Sequence, residues 1–164
     1  MALNRIGILT GGGDCPGLNA VIRMVVKAAH REHGAETIGF IDAFAGLVEN
    51  QHRTLTPGDV SGLGALGGTI LGTSNTANPF DHPIVRGGET VREDLSDWAI
   101  TNFRNLGLDA LVVVGGDGTQ NIAHRLWEKG LPVIGVPKTI DNDLARTLEG
   151  VRAAFERLRR SGLV

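Results

Sequence analysis

The sequence predicts an α/β domain built on a three-layer, doubly wound and mostly parallel sheet. Three observations carry that expectation. Apolar runs at 5–10 and 111–114 have the unbroken character of strands buried on both faces. Segments of helical spacing alternate with them, as at 17–33, where positions 18, 21, 22, 25, 26 and 29 share one side. Glycines cluster at 11–13, 62–72 and 115–118, each beside or just beyond an apolar run. Glycine lets a ligand approach the main chain closely, so three such clusters suggest loops converging on one anionic ligand.

Taken in order, 5–10 is a buried first strand, 17–33 a helix and 36–41 a second strand. Two adjoining strands joined by a helix lie parallel, with a right-handed crossover. Residues 43–56 read as irregular, and 57–63 as a short helix with Pro57 in its first turn. A short strand or extended piece bracketed by glycines follows at 67–74. The stretch 75–88, with Pro79 and Pro83 and no periodicity, is expected to be a functional surface loop. Helix 89–106 would bury Val91, Leu95, Trp98, Ala99, Phe103 and Leu106 and stop at Gly107. Strand 109–114, helix 118–129 and strand 132–136 complete the alternation, which places all three glycine loops at the carboxyl ends of strands. The tail, 147–164, reads as an amphipathic helix with Leu148, Val151, Ala154, Phe155 and Leu158 on one face, packed on the sheet.

Composition narrows the class. A chain of 164 residues with 41% apolar and 21% charged residues suits one α/β domain spanning 1–164, which the glycine loops make a nucleotide-binding one in expectation. A net charge of -2 offers no basic field for nucleic acid or an anionic membrane. No apolar run reaches the ~20 residues that span a bilayer. The single cysteine, Cys15, has no internal partner, so a cytoplasmic location is expected.

The chemistry lies in the loops. Successive glycines at 11–13, at a helix start, form an anion cradle of backbone N–H groups. This is neither a P-loop nor the dinucleotide fingerprint. Asp14 suits a helix cap as well as a ligand, and Cys15 reads as a buried filler. At 115–119, Asp117 between glycines can cap a helix or stand beside a nucleotide's Mg2+, with Gly118 leaving room for phosphate oxygens. Beyond the next strand, a period of two puts Thr139, Asp141 and Asp143 on one side and Lys138 on the other. Paired carboxylates repel unless they share metal, a cation or a proton, so one can act as base while the other supports it. Phosphoryl transfer is the leading reading.

The segments GGGDCPGLN at 11–19, GGTILGT at 67–73, GGDGT at 115–119 and PKTIDND at 137–143 together resemble the 6-phosphofructokinase family, in order and from Arg5 to about Arg146. GGDGT alone would also fit NAD kinases and diacylglycerol kinases. The resemblance implies Mg2+-dependent transfer from ATP to the 1-hydroxyl of fructose 6-phosphate in glycolysis. It assigns Asp117 to the metal and Gly12, Gly13, Asn75, Gly116, Gly118, Thr119 and Gln120 to the nucleotide site. It assigns Asp141 as base on the sugar hydroxyl, with Thr139, Asp143 and Lys138 around the transferred group. Open space at Gly118 favours ATP over pyrophosphate, whereas Lys138 matches the pyrophosphate enzymes and some ATP enzymes.

Two departures qualify the resemblance. Asn75 stands where many members carry an arginine that stabilises the transferred phosphate, so another cation such as Lys138 would have to act. After Arg146 the sequence does not follow the family pattern, and members are considerably longer. The chain is therefore expected to be an N-terminal lobe with a truncated or engineered end, binding nucleotide with weak or no turnover. The alternatives are a minimal scaffold without catalysis and a fragment of a pyrophosphate-dependent enzyme. A homo-oligomer is a further expectation from the family.

Overall fold

The computed structural model describes residues 3–139. Strand β1 (Arg5–Thr10) leads through the first glycine loop into α1 (Leu18–His33) and then β2 (Glu36–Phe40). The helix buries Leu18, Ile22, Val26 and Ala29 on one face, as their spacing dictates. It ends at left-handed Gly34, whose N–H donates to the His30 carbonyl at 3.1 Å while the N–H of Ala35 donates to that of Ala29 at 3.0 Å. The chain continues through α2 (Phe44–Glu49), β3 (His52–Leu55), β4 (His82–Arg86), β5 (Glu89–Glu93) and α3 (Ser96–Asn105), and closes with β6 (Ala110–Gly115), α4 (Asp117–Glu128) and β7 (Val133–Pro137).

Among the described residues, a five-stranded sheet runs in the order β3-β2-β1-β6-β7. β2, β1, β6 and β7 are parallel, and β3 is antiparallel to β2. The chain winds outward from β1 to β2 in one direction and from β6 to β7 in the other. The reversal falls between β1 and β6, whose carboxyl ends carry the first and last glycine loops. Alternation along the strands splits the core in two. Ile8, Val112 and Val114 face α1 with Leu55, Val60, Leu63 and Leu71. Leu9, Phe40, Leu111 and Val113 face Phe44, Phe103, Ala123 and Leu126 of α2, α3 and α4. Each fully buried side chain of this size contributes roughly 1.5–3 kcal/mol.

Several expected elements differ. Residues 43–56 are not irregular; they form α2 and the antiparallel strand β3. A helix of six residues is too short to stand alone. It is held by burial of Phe44, Leu47 and Val48 and by the Asn102 side-chain amide, which donates to the carbonyls of Leu47 and Val48 at 3.0 and 2.9 Å. Residues 57–63 form successive turns instead of a helix: Ser61 and Leu63 each bond three residues back, and Asp59 accepts from Thr56 N at 2.8 Å. The described chain has neither a strand nor a straight extended piece at 67–74; the segment turns at Thr69–Gly72, between left-handed Gly68 and Gly72, and is held by bonds from Asn19 N to Gly68 O, Asp42 N to Leu71 O and Gly12 N to Ser74 O. The middle glycine cluster therefore lies over the strand ends without itself following a parallel strand.

The largest difference is at 75–93. Residues 75–81 remain a loop with a short 3-10 turn at Pro79–Asp81, but the rest of the expected loop and the start of the expected helix are the antiparallel hairpin β4–β5, closed by Gly87 and Gly88. Both glycines have positive φ, +62° and +87°, which a two-residue hairpin turn of this hand requires. The following helix starts only at Ser96, where Asp94 accepts from Ser96 N at 2.9 Å. Hydrogen bonds from the Ser96 hydroxyl and then its N–H hold the Asp94 carboxyl below the usual value. Val91 accordingly lies in a strand, and Trp98, expected in the core, is 59% exposed. The expected helix at 147–164 lies outside the described residues.

Candidate active site

The carboxyl ends of β1 and β6 open into a cleft of ≈ 510 Å³. One wall is the first glycine loop, with Gly12 and Gly13, and the other is Gly116–Thr119 at the start of α4. Lys138 and Thr139, just beyond β7, close one end. Ser74–Asn78, Phe44, Ile122, Asp81 and Arg92 complete the lining.

Thr119 sets the separation of the two loops. It is buried, and a Cβ on Gly11 would lie 2.8 Å from its methyl group, while one on Gly115 would lie 2.5 Å from its Cβ. Both neighbours must therefore lack a side chain. Gly12 is left-handed, with φ +79°, and donates its N–H to Ser74 O at 3.0 Å, while Thr73 Oγ1 donates to its carbonyl at 2.5 Å. Its backbone is thereby fixed at the cleft wall. Gly118 is the opposite case: a Cβ there would meet nothing within 4 Å. The space beside it is open, as a phosphate group would need.

Asp117 is the first residue of α4 and makes no side-chain cap hydrogen bond; Gly116 holds the cap position. Of the two roles its spacing allows, capping therefore has no support, and the exposed carboxylate faces the cleft at the positive end of a helix. Among the described residues no group of three or more His, Cys, Asp or Glu side chains could hold a metal ion. A single cleft carboxylate such as Asp117 is the kind of ligand that Mg2+ takes, with its other ligands drawn from water and substrate phosphates.

Lys138 reaches across the cleft mouth. Its Nζ donates to Gly13 O, and its backbone N–H donates to Gly115 O at 3.0 Å, so one residue ties both glycine loops together. Asn75 lines the cleft from the exposed loop before the hairpin. Gln120 does not line it, which corrects the expectation of a nucleotide contact. The Gln120 amide turns back into the fold and donates to Val113 O, Gly115 O and Val136 O at 3.1–3.2 Å, fastening β6 to β7. Asp14 likewise makes no cap bond to α1, whose cap position is Gly17. Cys15 is half-buried against the α1 core. Asp141 and Asp143 lie outside the described residues.

Sequence reasoning missed Phe44, Asp81, Ile122 and Arg92. The hairpin delivers Arg92 to the cleft, and the only available signal was the Gly-Gly turn between two short runs of β-branched residues. Ala43, with φ +64°, turns the chain so that buried Phe44 enters the lining.

The phosphofructokinase family model matches residues 5–158. The chain belongs to the phosphofructokinase family. The match extends past Arg146, where the motif-based resemblance ends. The chain is 50% identical over 146 residues to ATP-dependent 6-phosphofructokinase 2 of Clostridium perfringens, covering 88% of this chain and 40% of that protein. It is 47% identical over 143 residues to the pyrophosphate–fructose 6-phosphate 1-phosphotransferase of Amycolatopsis methanolica, covering 87% and 39%. The crystal structure of Pichia pastoris phosphofructokinase in the T-state superposes with a TM-score of 0.70 at 31% identity, covering 87% of this chain and 16% of that one. The chain thus spans about 40% of the length of the curated relatives it matches. Among the described residues no helix is long and apolar enough to cross a membrane.

Proposed function

We propose that this chain supplies the nucleotide-phosphate half of a 6-phosphofructokinase active site, in which the γ-phosphoryl group of ATP passes to the 1-hydroxyl of fructose 6-phosphate. The observation that carries the reading is the convergence of two glycine loops, Asp117 and Lys138 on one cleft at the point where the sheet reverses direction. Gly13 and Gly116 present backbone to the donor's phosphate chain, Gly12 forms the wall beside it with its own N–H and carbonyl already bonded, and the open side of Gly118 gives it room. Asp117 holds Mg2+, which supplies positive charge against the phosphate oxygens. Lys138 spans both loops and stands at the transferring end with Thr139.

The family resemblance gives Asp141 the remaining task. Its carboxylate takes the proton of the sugar hydroxyl as the oxygen bonds to phosphorus and the bond to the β-phosphate oxygen breaks, and the resemblance gives Asp143 a contact to the sugar phosphate or the transferred group. Little covalent chemistry is required of the protein, since orientation and charge stabilisation carry phosphoryl transfer.

The donor is assigned to ATP because the space at Gly118 is unfilled. Relatives named for either donor match at nearly equal identity, so identity alone does not separate them. The test is calorimetric titration of the chain with Mg2+-ATP and with pyrophosphate, Asp117→Ala as control, followed by fructose 6-phosphate and detection of the bisphosphate. ATP binding that Asp117→Ala removes is the expected result. A folded chain that binds pyrophosphate and not ATP would overturn the donor assignment, and one that binds neither would overturn the site.

A further inference from the structure

We infer that Arg92, carried into the cleft by the β4–β5 hairpin, binds a phosphate of the donor directly; the inference rests on the nucleotide reading of this cleft. Arg92 and Asp81 both line it. The guanidinium is held on one side only: its NH1 group donates to the Asp81 carboxylate Oδ2 at 2.9 Å and to the Asp81 carbonyl at 3.0 Å. Its Nε–H and NH2 donors have no hydrogen-bond partner among the described residues. A guanidinium pinned along one edge presents the rest of its planar fork already oriented, the arrangement that suits phosphate oxygens.

The hairpin has the rigidity that this role needs. Its five strand pairs run from His82–Glu93 to Arg86–Glu89, and Arg92 lies one pair from the base. The base is fastened where Leu95 N donates to Pro79 O at 2.7 Å and the Asn78 side chain accepts from Phe80 N at 3.1 Å. Phe80 is in turn covered by the Arg125 guanidinium of α4, 3.6 Å from the ring centre. The segment bearing Asp81 is therefore anchored to the same helix whose first turn carries Asp117 and Gly118. Across the cleft, the Lys138 ammonium already donates to Gly13 O, so Arg92 is the cleft cation without a bond to either glycine loop among the described residues. The Arg92–Asp81 pair is about half exposed, contributes little to stability, and does not compete strongly with an incoming phosphate.

The experiment is Mg2+-ATP affinity of the chain, by calorimetry at low and at high salt, for Arg92→Gln, Arg92→Lys and Asp117→Ala. Arg92→Gln is expected to weaken binding roughly tenfold at low salt, the scale of a charge-assisted hydrogen bond. The loss should shrink at high salt, because an exposed charge is screened. Arg92→Lys, which keeps the charge but not the fork, should fall between. ATP affinity within twofold of the parent in Arg92→Gln, while Asp117→Ala abolishes binding, would overturn this inference and leave the nucleotide cleft standing. A loss of the same factor at both salts would mean that Arg92 only braces the hairpin, and would also overturn it. A parent chain that binds no ATP would overturn the cleft reading and this inference with it.

Discussion

Gly115 and Gly118 stand three residues apart in one turn, and the same substitution should have opposite effects on stability at the two. A methyl group at Gly115 would lie 2.5 Å from both Cβ and Cγ2 of buried Thr119, closer than real side chains approach. Backbone or Thr119 must shift, at a cost of about 1–3 kcal/mol. At Gly118 the added carbon meets nothing within 4 Å, and the residue lies in the first turn of α4. There Gly118→Ala should gain roughly 0.5–1 kcal/mol of helix stability. For a chain of this length 1 kcal/mol moves Tm by about 2–4 °C. Gly115→Ala should therefore lower Tm by roughly 2–12 °C, and Gly118→Ala should raise it by about 1–4 °C. Gly118→Asp should fold as well as the parent and yet bind Mg2+-ATP poorly. A second carboxylate beside Asp117 faces the donor's phosphates at a cost of about 1–4 kcal/mol, depending on the effective dielectric. That corresponds to roughly fivefold to a thousandfold in Kd. Differential scanning calorimetry and ATP titration of the three variants would measure both quantities. Destabilisation by Gly118→Ala, or parental ATP affinity in Gly118→Asp, would refute the placement of open ligand space at this position.

Gln120→Leu removes an amide that bridges Val113 O, Gly115 O and Val136 O, so a loss of roughly 1–3 kcal/mol is expected in urea denaturation, from the lost side-chain bonds between β6 and β7. ATP affinity lost far beyond what that destabilisation explains would restore a ligand role for Gln120. Asp109 accepts the backbone N–H groups of Arg5 and Asn4, and these bonds hold its carboxyl below the usual aspartate value of 3.8. Because its folded value is depressed, its stabilisation is present above pH 3.8 and is lost as pH falls through the lower, folded-state value. Asp109→Asn should therefore flatten the acid limb of a stability–pH profile, and an unchanged limb would show that the bonds contribute nothing.

The sheet and the two main loops were legible because each depends on local signals. β1, α1, β2, β6, α4 and β7 combine an apolar period with a glycine boundary, and each lies within a residue or two of its expected limits. The segments between 43 and 95 were not legible, for a different reason in each. α2 has too few residues to show a helical period and exists through its burial and Asn102. The 89–106 apolar spacing mimicked a helix because Val91 and Leu95 continue the period of the true helix into the hairpin strand. In the site, Gly12, Gly116, Asp117, Gly118, Thr119 and Lys138 were singled out by motif chemistry, and all line one cleft. Gln120 was grouped with them because its neighbours in sequence line the cleft, while its own long side chain turns toward strand carbonyls. Arg92 was hidden because its distance in sequence from the glycine loops is spanned by a hairpin that sequence spacing did not reveal.

The side-chain amide of Asn102 has a bearing on how the cleft is assembled. The helix that presents Phe44 has its terminal carbonyls satisfied by a residue 54 or 55 positions further along the chain. The apolar part of the cleft is therefore contingent on the docking of α3, a segment that contributes no residue to the lining. A sequence change on the buried face of α3 would reach the ligand through the seating of a ring, and its effect on binding would be indirect. Residues far from the phosphate loops thus share responsibility for the shape of the pocket.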